Sequence, residues 1–238
     1  MATPAYLLPG NEAARLRALG ASAVADAFAE PVYQQLVEVV ARAYQLPSTF
    51  LSTVGAEQVD FPATHGVPGL CALPREESLC ALAVRQQHPL VLNHLLTAPA
   101  NAHQRTAQRL GLAAYVGVPV LLGEGLAVGV LCLGSPVPRE FSPHELVVLE
   151  ELAALISELL AVRRHLPAPH WQAVQQLVVV ALRQMQHLLD HLARHNQGNV
   201  PTPTAVLNAL QQRLQIVREM LPSPASIAPA PTAARTCA

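Results

Sequence analysis

The sequence predicts an α/β (α+β) fold: an antiparallel sheet flanked by helices, followed by a C-terminal α-helical hairpin. Three stretches predict it. In "AAYVGVPVLLGEGLAVGVLCLGSP", residues 113–136, two apolar runs flank Gly123-Glu124-Gly125, the pattern of a β-hairpin with a tight glycine turn. In "FSPHE", Ser142 is an N-cap, Pro143 takes the first helical position and Glu145 completes a capping box. From Trp171 onward, apolar residues recur at 3-4 spacing, the seam of a heptad helix.

The chain of 238 residues is 51% apolar and 13% charged, enough for one ample core plus an appendage. Its net charge of −1 supplies no field for nucleic acid or an anionic membrane, so neither is expected as a partner. All 15 basic residues are arginine, which excludes Schiff-base lysine chemistry and a P-loop. The three aspartates, Asp26, Asp60 and Asp190, are too dispersed for a carboxylate-rich Mg²⁺ or Ca²⁺ site. The N-terminus lacks the basic region and apolar core of a signal peptide, and no apolar stretch reads as a membrane span. Cys71, Cys80, Cys132 and Cys237 form no CxxC pair and read as reduced thiols in a cytoplasmic protein.

Along the chain, residues 1–10 form a Pro-containing lead-in. A helix follows from Asn11 to Gly20, and a second begins at Pro31, with Leu36, Val37, Val40 and Ala41 as its apolar stripe. Residues 48–64 alternate as one or two strands, and 66–75 read as loop. Ser78 to Gln87 reads as a short helix and 89–93 as a buried strand. Residues 94–111 mix loop and short helix, ahead of the hairpin. The capped helix from Pro143 runs to about Arg164, with arginines at the negative end of its dipole. "HLPAPH" breaks it. The heptad seam then runs through Trp171, Val174, Val178, Ala181, Met185, Leu188 and Leu192. After a turn at Gly198, Pro201 and Pro203 it resumes at Leu207, Leu210, Leu214, Val217 and Leu221. Leu177, Val180, Leu182 and Leu189 add apolar surface that predicts a homodimer through the 143–221 helices, two hairpins forming a four-helix bundle. Residues 222–238 are low-complexity and are expected to be disordered.

Five blocks in order carry a resemblance to a known family: "NEAARLRALG", "LPREESLCALAV", "HPLVLN", "YVGVPVLLGEGLAVGVLCL" and "PREFSPHELVVLEELAALI". Together they resemble the GAF domain, a sensory and ligand-binding module of signalling proteins, over about residues 11–162. The expected organisation is then a lead-in at 1–10, a GAF-like domain at 11–164, a two-helix hairpin at 168–221 and a tail at 222–238. The resemblance implies a ligand cavity between the sheet and the loops over it. It places His65, Arg75, Glu76, Cys80 and Tyr115 as candidates there, and implies a signalling partner protein and an unidentified small-molecule ligand.

No cofactor is expected. Cyclic-nucleotide GAF domains use an "NKxDE"-like motif, which a chain without lysine cannot match. Bilin-bearing ones place a histidine directly after the chromophore cysteine, whereas Cys71, Cys80 and Cys132 precede Ala, Ala and Leu. The enzymic alternative is the GAF-type free methionine sulfoxide reductase, in which one cysteine attacks the sulfoxide and others resolve it. Cys71 and Cys80 lie nine residues apart, but 81–131 contains no further cysteine. Cys80 therefore reads as packing, with Glu76 and Glu77 opposing a thiolate at that helix end, and Cys132 reads as core. His187, His191 and His195 recur at i, i+4, i+8 without HExxH or a nearby cysteine, so they read as an exposed face rather than a metal site. A degenerate sensor-kinase fragment with a phosphoacceptor histidine is a further alternative, but these histidines precede Leu188, Leu192 and Asn196 rather than an acid. The reading is a non-catalytic sensory or regulatory protein.

Overall fold

The computed structural model describes residues 3–95, 101–123, 125–195 and 202–222. Its centre is a six-stranded antiparallel sheet of order β3-β2-β1-β6-β5-β4. The strands are β1 (Ser48–Val54), β2 (Gln58–His65), β3 (Ala72–Pro74), β4 (Leu90–Leu92), β5 (Ala114–Leu122) and β6 (Leu126–Ser135). The helices are α1 (Glu12–Ala21), α2 (Val24–Phe28), α3 (Pro31–Tyr44), α4 (Leu79–Gln86), α5 (Ala102–Arg109), α6 (Pro143–His165), α7 (Ala168–His195) and α8 (Thr204–Met220). The short strand β3 lies in the stretch expected to be loop, and α2 fills a stretch given no element. The capping box at Ser142 and Glu145 forms as the sequence predicts. No helix among the described residues is long and apolar enough to cross a membrane.

The central strands are apolar on both sides because both faces of the sheet are covered. One side chain set of β5 and β6, including Val116, Val118, Leu131 and Leu133, meets α3 and α6. The alternate set, Tyr115, Val130 and Cys132, faces α4 and α5 together with Phe50 and Phe61. The register that achieves this contains a bulge. Leu122 pairs with Leu126 and Leu121 with Ala127, but Val120 pairs with Gly129. A one-residue slip turns side chains to the opposite face, so this bulge is what brings Cys132 opposite Gly117 on the α4 side.

The heptad hairpin is where expectation and structure part. Its seam is buried within the same chain. Trp171, Val178, Met185, Leu207 and Leu214 join the core formed by α3 and α6, Leu192 and Leu221 are half-buried at its margin, and Leu188 is half-buried outside it. Helix α7 packs on α3, and α8 packs on α6. The cause lies in α3 and α6. Val32, Tyr33, Leu36, Val37, Val39 and Val40 are all buried, giving α3 a broad apolar arc beside a polar stripe of Gln34, Gln35, Glu38 and Arg42. An apolar arc that broad requires cover beyond the sheet, and α7 supplies it. Leu182 and Leu189, expected to face a second chain, are buried here too, whereas Leu177 and Val180 are 56% and 53% exposed.

Carboxylates fasten these layers. Glu30 accepts from Arg163 Nε at 2.6 Å, Trp171 Nε1 at 2.6 Å and Gln175 Nε2 at 2.7 Å, joining α3 to α6 and α7. Glu145 is fully buried. It accepts from Ser142 N at 2.8 Å and Thr202 N at 2.9 Å and pairs with Arg139. Burial pushes this carboxyl up, but the donors of Ser142 and Thr202 and the Arg139 charge outweigh it and hold it below the usual carboxylate range. Residues 223–238 of the expected tail lie outside the described residues, as do Glu124 of the hairpin turn and Gly198 and Pro201 between the last helices.

Candidate functional site

The site sits between the sheet and the α4–α5 layer. Helix α4 starts where Ser78 stops the preceding turn, its hydroxyl accepting from Cys80 N at 3.2 Å. That cap fixes Cys80 in the first turn, pointing its thiol at the sheet. Across from it, Gly117 leaves room for the phenol of Tyr115. A Cβ at Gly117 would lie 2.4 Å from the Tyr115 hydroxyl. The bulged register then sets Cys132 beside both.

The result is a polar triangle inside an apolar cluster. Cys80 Sγ lies 3.5 Å from Cys132 Sγ, and the Tyr115 hydroxyl lies 3.1 Å from Cys132 Sγ and 3.6 Å from Cys80 Sγ. None of the three is more than 1% exposed. Burial pushes the Cys80 thiol up, but hydrogen bonds from Cys132, Ser52, Ser78 and Tyr115 outweigh it and bring it down to about 7. Burial and the neighbouring Cys80 raise Cys132. Burial likewise raises Tyr115, which stays a neutral donor.

Beside the triangle is a cavity of about 20 Å³, lined by Cys80, Tyr115, Phe50, Phe61, His103 and Ala107 among others. That is room for about one water molecule. His103, on α5, is 5% exposed, and neither ring nitrogen has a hydrogen-bond partner among the described residues. Burial lowers its pKa, against the backbone of Glu77 and Ser78. Helix α5 is closed over the cavity by a surface latch: Glu77 accepts from Thr106 Oγ1 at 3.0 Å and from Arg109 Nη2 at 2.6 Å.

Of the residues expected at the ligand cavity, the structure brings Cys80 and Tyr115 together. It places the other three elsewhere. Arg75 is fully buried at the opposite end of the turn, bonded to Glu12 and to the carbonyls of Leu7 and Gly55. Arg15 shares Glu12. Burial would raise the Glu12 carboxyl, but the two guanidiniums outweigh it and hold it at about 2. This cluster anchors the N-terminal segment to the β1–β2 turn. Glu76 lines a separate surface groove with Thr3, Glu57 and Gln58. His65 is exposed at the end of β2. Cys71 is also exposed, and the sulfur that faces Cys80 is that of Cys132. His103, Gly117 and Cys132 escaped sequence reasoning. Strand alternation puts Tyr115 and Gly117 on one face, but the bulge that adds Cys132 has no sequence signature. His187 and His191 are exposed, and no group of metal-ligating side chains forms among the described residues.

The chain resembles known proteins over part of its length. A cyclic di-GMP phosphodiesterase of Pseudomonas aeruginosa is 25% identical over 160 residues, 66% of this chain and 26% of that protein. The chain thus spans about a quarter of the length of that curated relative. Among solved structures, the GAF domain of an Acinetobacter phosphoenolpyruvate-protein phosphotransferase is 19% identical, with a TM-score of 0.44, over 61% of this chain and 93% of that one. The type II free methionine-R-sulfoxide reductase of Thermoplasma acidophilum is 16% identical, with a TM-score of 0.47, over 57% and 94%. The GAF domain family model matches residues 17–161, more than half of the chain and all of its sheet. The chain belongs to the GAF domain family.

Proposed function

We propose that this GAF domain is a non-catalytic sensory and regulatory module of the cytoplasm, in which a small solute at the Cys80–Tyr115–His103 cavity biases the packing of the helices across the sheet. The observation that carries the reading is His103. A buried imidazole whose ring nitrogens make no well-formed hydrogen bond costs free energy on the order of 1–3 kcal/mol, and His103 lines a small cavity beside Ser78, Cys80, Thr106 and Tyr115. A solute able to hydrogen-bond there recovers that cost. Transmission has a short physical route. Tyr115 borders the cavity, and its neighbours Val116 and Val118 on β5 belong to the core shared with α6. Occupancy that moves β5 therefore bears on α6 and, through it, on α8.

Thermal denaturation of the full chain, screened against small polar solutes, tests the binding step. The reading expects some solutes to raise Tm by several degrees in the wild type and not in Ala107→Leu, which fills the cavity. A screen in which no solute separates the two proteins, together with native mass spectrometry showing no retained molecule, overturns it.

The output is contact with a signalling partner protein or a second copy of this chain. Since the heptad seam is covered internally, a homodimer uses the outward residues Leu177 and Val180 of α7 and Ile216 and Met220 of α8. Light scattering on a sizing column is expected to give a dimer that Leu177→Asp with Val180→Asp converts to a folded monomer. A monomeric wild type excludes a second copy as the output.

A further inference from the structure

We propose that Cys80 and Cys132 are a reactive thiol pair that closes to a disulfide when a small hydroperoxide enters the cavity beneath α4 and α5. The proposal rests on the sensory reading of that cavity and gives its ligand a chemical class. The sulfurs are 3.5 Å apart. A disulfide needs about 2.05 Å, so the pair lies one small side-chain adjustment from bonding. The two cysteines are not equivalent. Cys80 lines the cavity, whereas Cys132 does not and lies behind it on the central strand. Cys80 is thus the thiol an incoming solute meets, and Cys132 is placed to resolve what forms.

Size selects the oxidant. A cavity of about 20 Å³ holds a water-sized molecule, which suits hydrogen peroxide and excludes methionine sulfoxide or a thiol peptide. His103 offers an unpartnered ring nitrogen to such a solute, and the Tyr115 hydroxyl contacts both sulfurs. A Cys80 thiol titrating near neutrality supplies the thiolate that attack requires.

The chemistry balances without a further reagent. The Cys80 thiolate attacks one peroxide oxygen, the O–O bond breaks, and Cys80 becomes a sulfenic acid. The departing oxygen takes up the proton that Cys80 released and leaves as water. The Cys132 sulfur then attacks the sulfenic sulfur. The S–O bond breaks, the S–S bond forms, and the hydroxyl leaves as water with the Cys132 proton. Two thiols are oxidised by two electrons in all, and hydrogen peroxide is reduced to two waters. The reaction is stoichiometric, and its product staples α4 to the middle of the sheet.

The test is disulfide mapping of the full-length protein. Reduced chain is treated with hydrogen peroxide or with the bulkier cumene hydroperoxide, alkylated in denaturant, digested and analysed by mass spectrometry. Hydrogen peroxide is expected to convert most of Cys80 and Cys132 into one linked peptide pair, and cumene hydroperoxide to react at least tenfold more slowly. In Cys132→Ser, dimedone is expected to trap Cys80 as its sulfenic acid. Tyr115→Phe, which keeps the ring, is expected to slow linkage several-fold and guards against a cysteine variant that fails to fold. Recovery of both Cys80 and Cys132 as free thiols while exposed Cys71 oxidises overturns the proposal, as does a Cys71–Cys80 link. If no link forms but small solutes still raise Tm in the wild type alone, the thiol chemistry falls and the sensory cavity stands.

Discussion

The two faces of the sheet use polar groups differently. On the α3–α6 face, carboxylates gather donors from several elements at once. Glu30 joins α3, α6 and α7, Glu38 of α3 accepts from Gln186 of α7, and Glu145 holds Arg139 and the start of α8. On the α4–α5 face, the buried polar groups include two thiols, a phenol and an imidazole, and the closing latch between Glu77 and Arg109 is on the surface. A surface pair of that kind contributes at most about 1 kcal/mol. One face is therefore tied by ion pairs and hydrogen bonds across several helices, and the other carries fewer such ties. Under the proposed sensory reading, change would enter on the second face and be read on the first.

Breaking the tied face should have the largest effect. Glu145→Ala leaves the Arg139 guanidinium buried without its counter-ion and is expected to cost about 3–5 kcal/mol in denaturant unfolding. Acid should weaken the same tie in the wild type. The folded pKa of Glu145 lies below its ordinary value of 4.5, so its contribution is complete above that pH and is lost as pH falls through the lower folded value. Leu182→Ala, at a fully buried position of α7, is expected to cost about 2–5 kcal/mol. Its unfolding should remain a single transition, since α7 shares the core of α3 and α6. A separate early transition for the C-terminal helices would show them to be an independent appendage.

The α4–α5 face should respond in the opposite sense. His103→Leu removes a buried polar group that has no partner and is expected to be neutral or to stabilise by about 1 kcal/mol. The wild type should also lose stability as pH falls below 6.5, because the folded pKa of His103 is depressed from that value and the unfolded chain binds the proton first. His103→Leu should remove that part of the pH profile. A destabilised variant would mean that the imidazole already has a structural partner.

Much of the fold was legible because its signals are local. The hairpin that pairs Leu122 with Leu126, the capping box at Ser142 and Glu145 and the apolar runs of β5 and β6 each depend on a few adjacent residues. The docking of α7 was not legible from its own heptads, which specify an apolar partner without naming it. The counterpart was written in α3, whose buried residues span a broad arc of the helix. The site was half legible. Tyr115 and Cys80 follow from the family blocks, but Cys132 faces them only because of the bulge between Val120 and Leu121. Arg75 was misplaced for a different reason. A guanidinium has the same sequence appearance whether it meets a ligand or, as here, Glu12 and backbone carbonyls.

The central claim is that events in the cavity are felt by the helices across the sheet. Hydrogen exchange of the full chain, reduced and after hydrogen peroxide treatment, tests it most directly. The account predicts altered exchange in β5, β6 and α6 as well as in α4. With the Cys80–Cys132 link confirmed in the same sample by mass spectrometry, a change confined to α4 and α5, or no change at all, would contradict it.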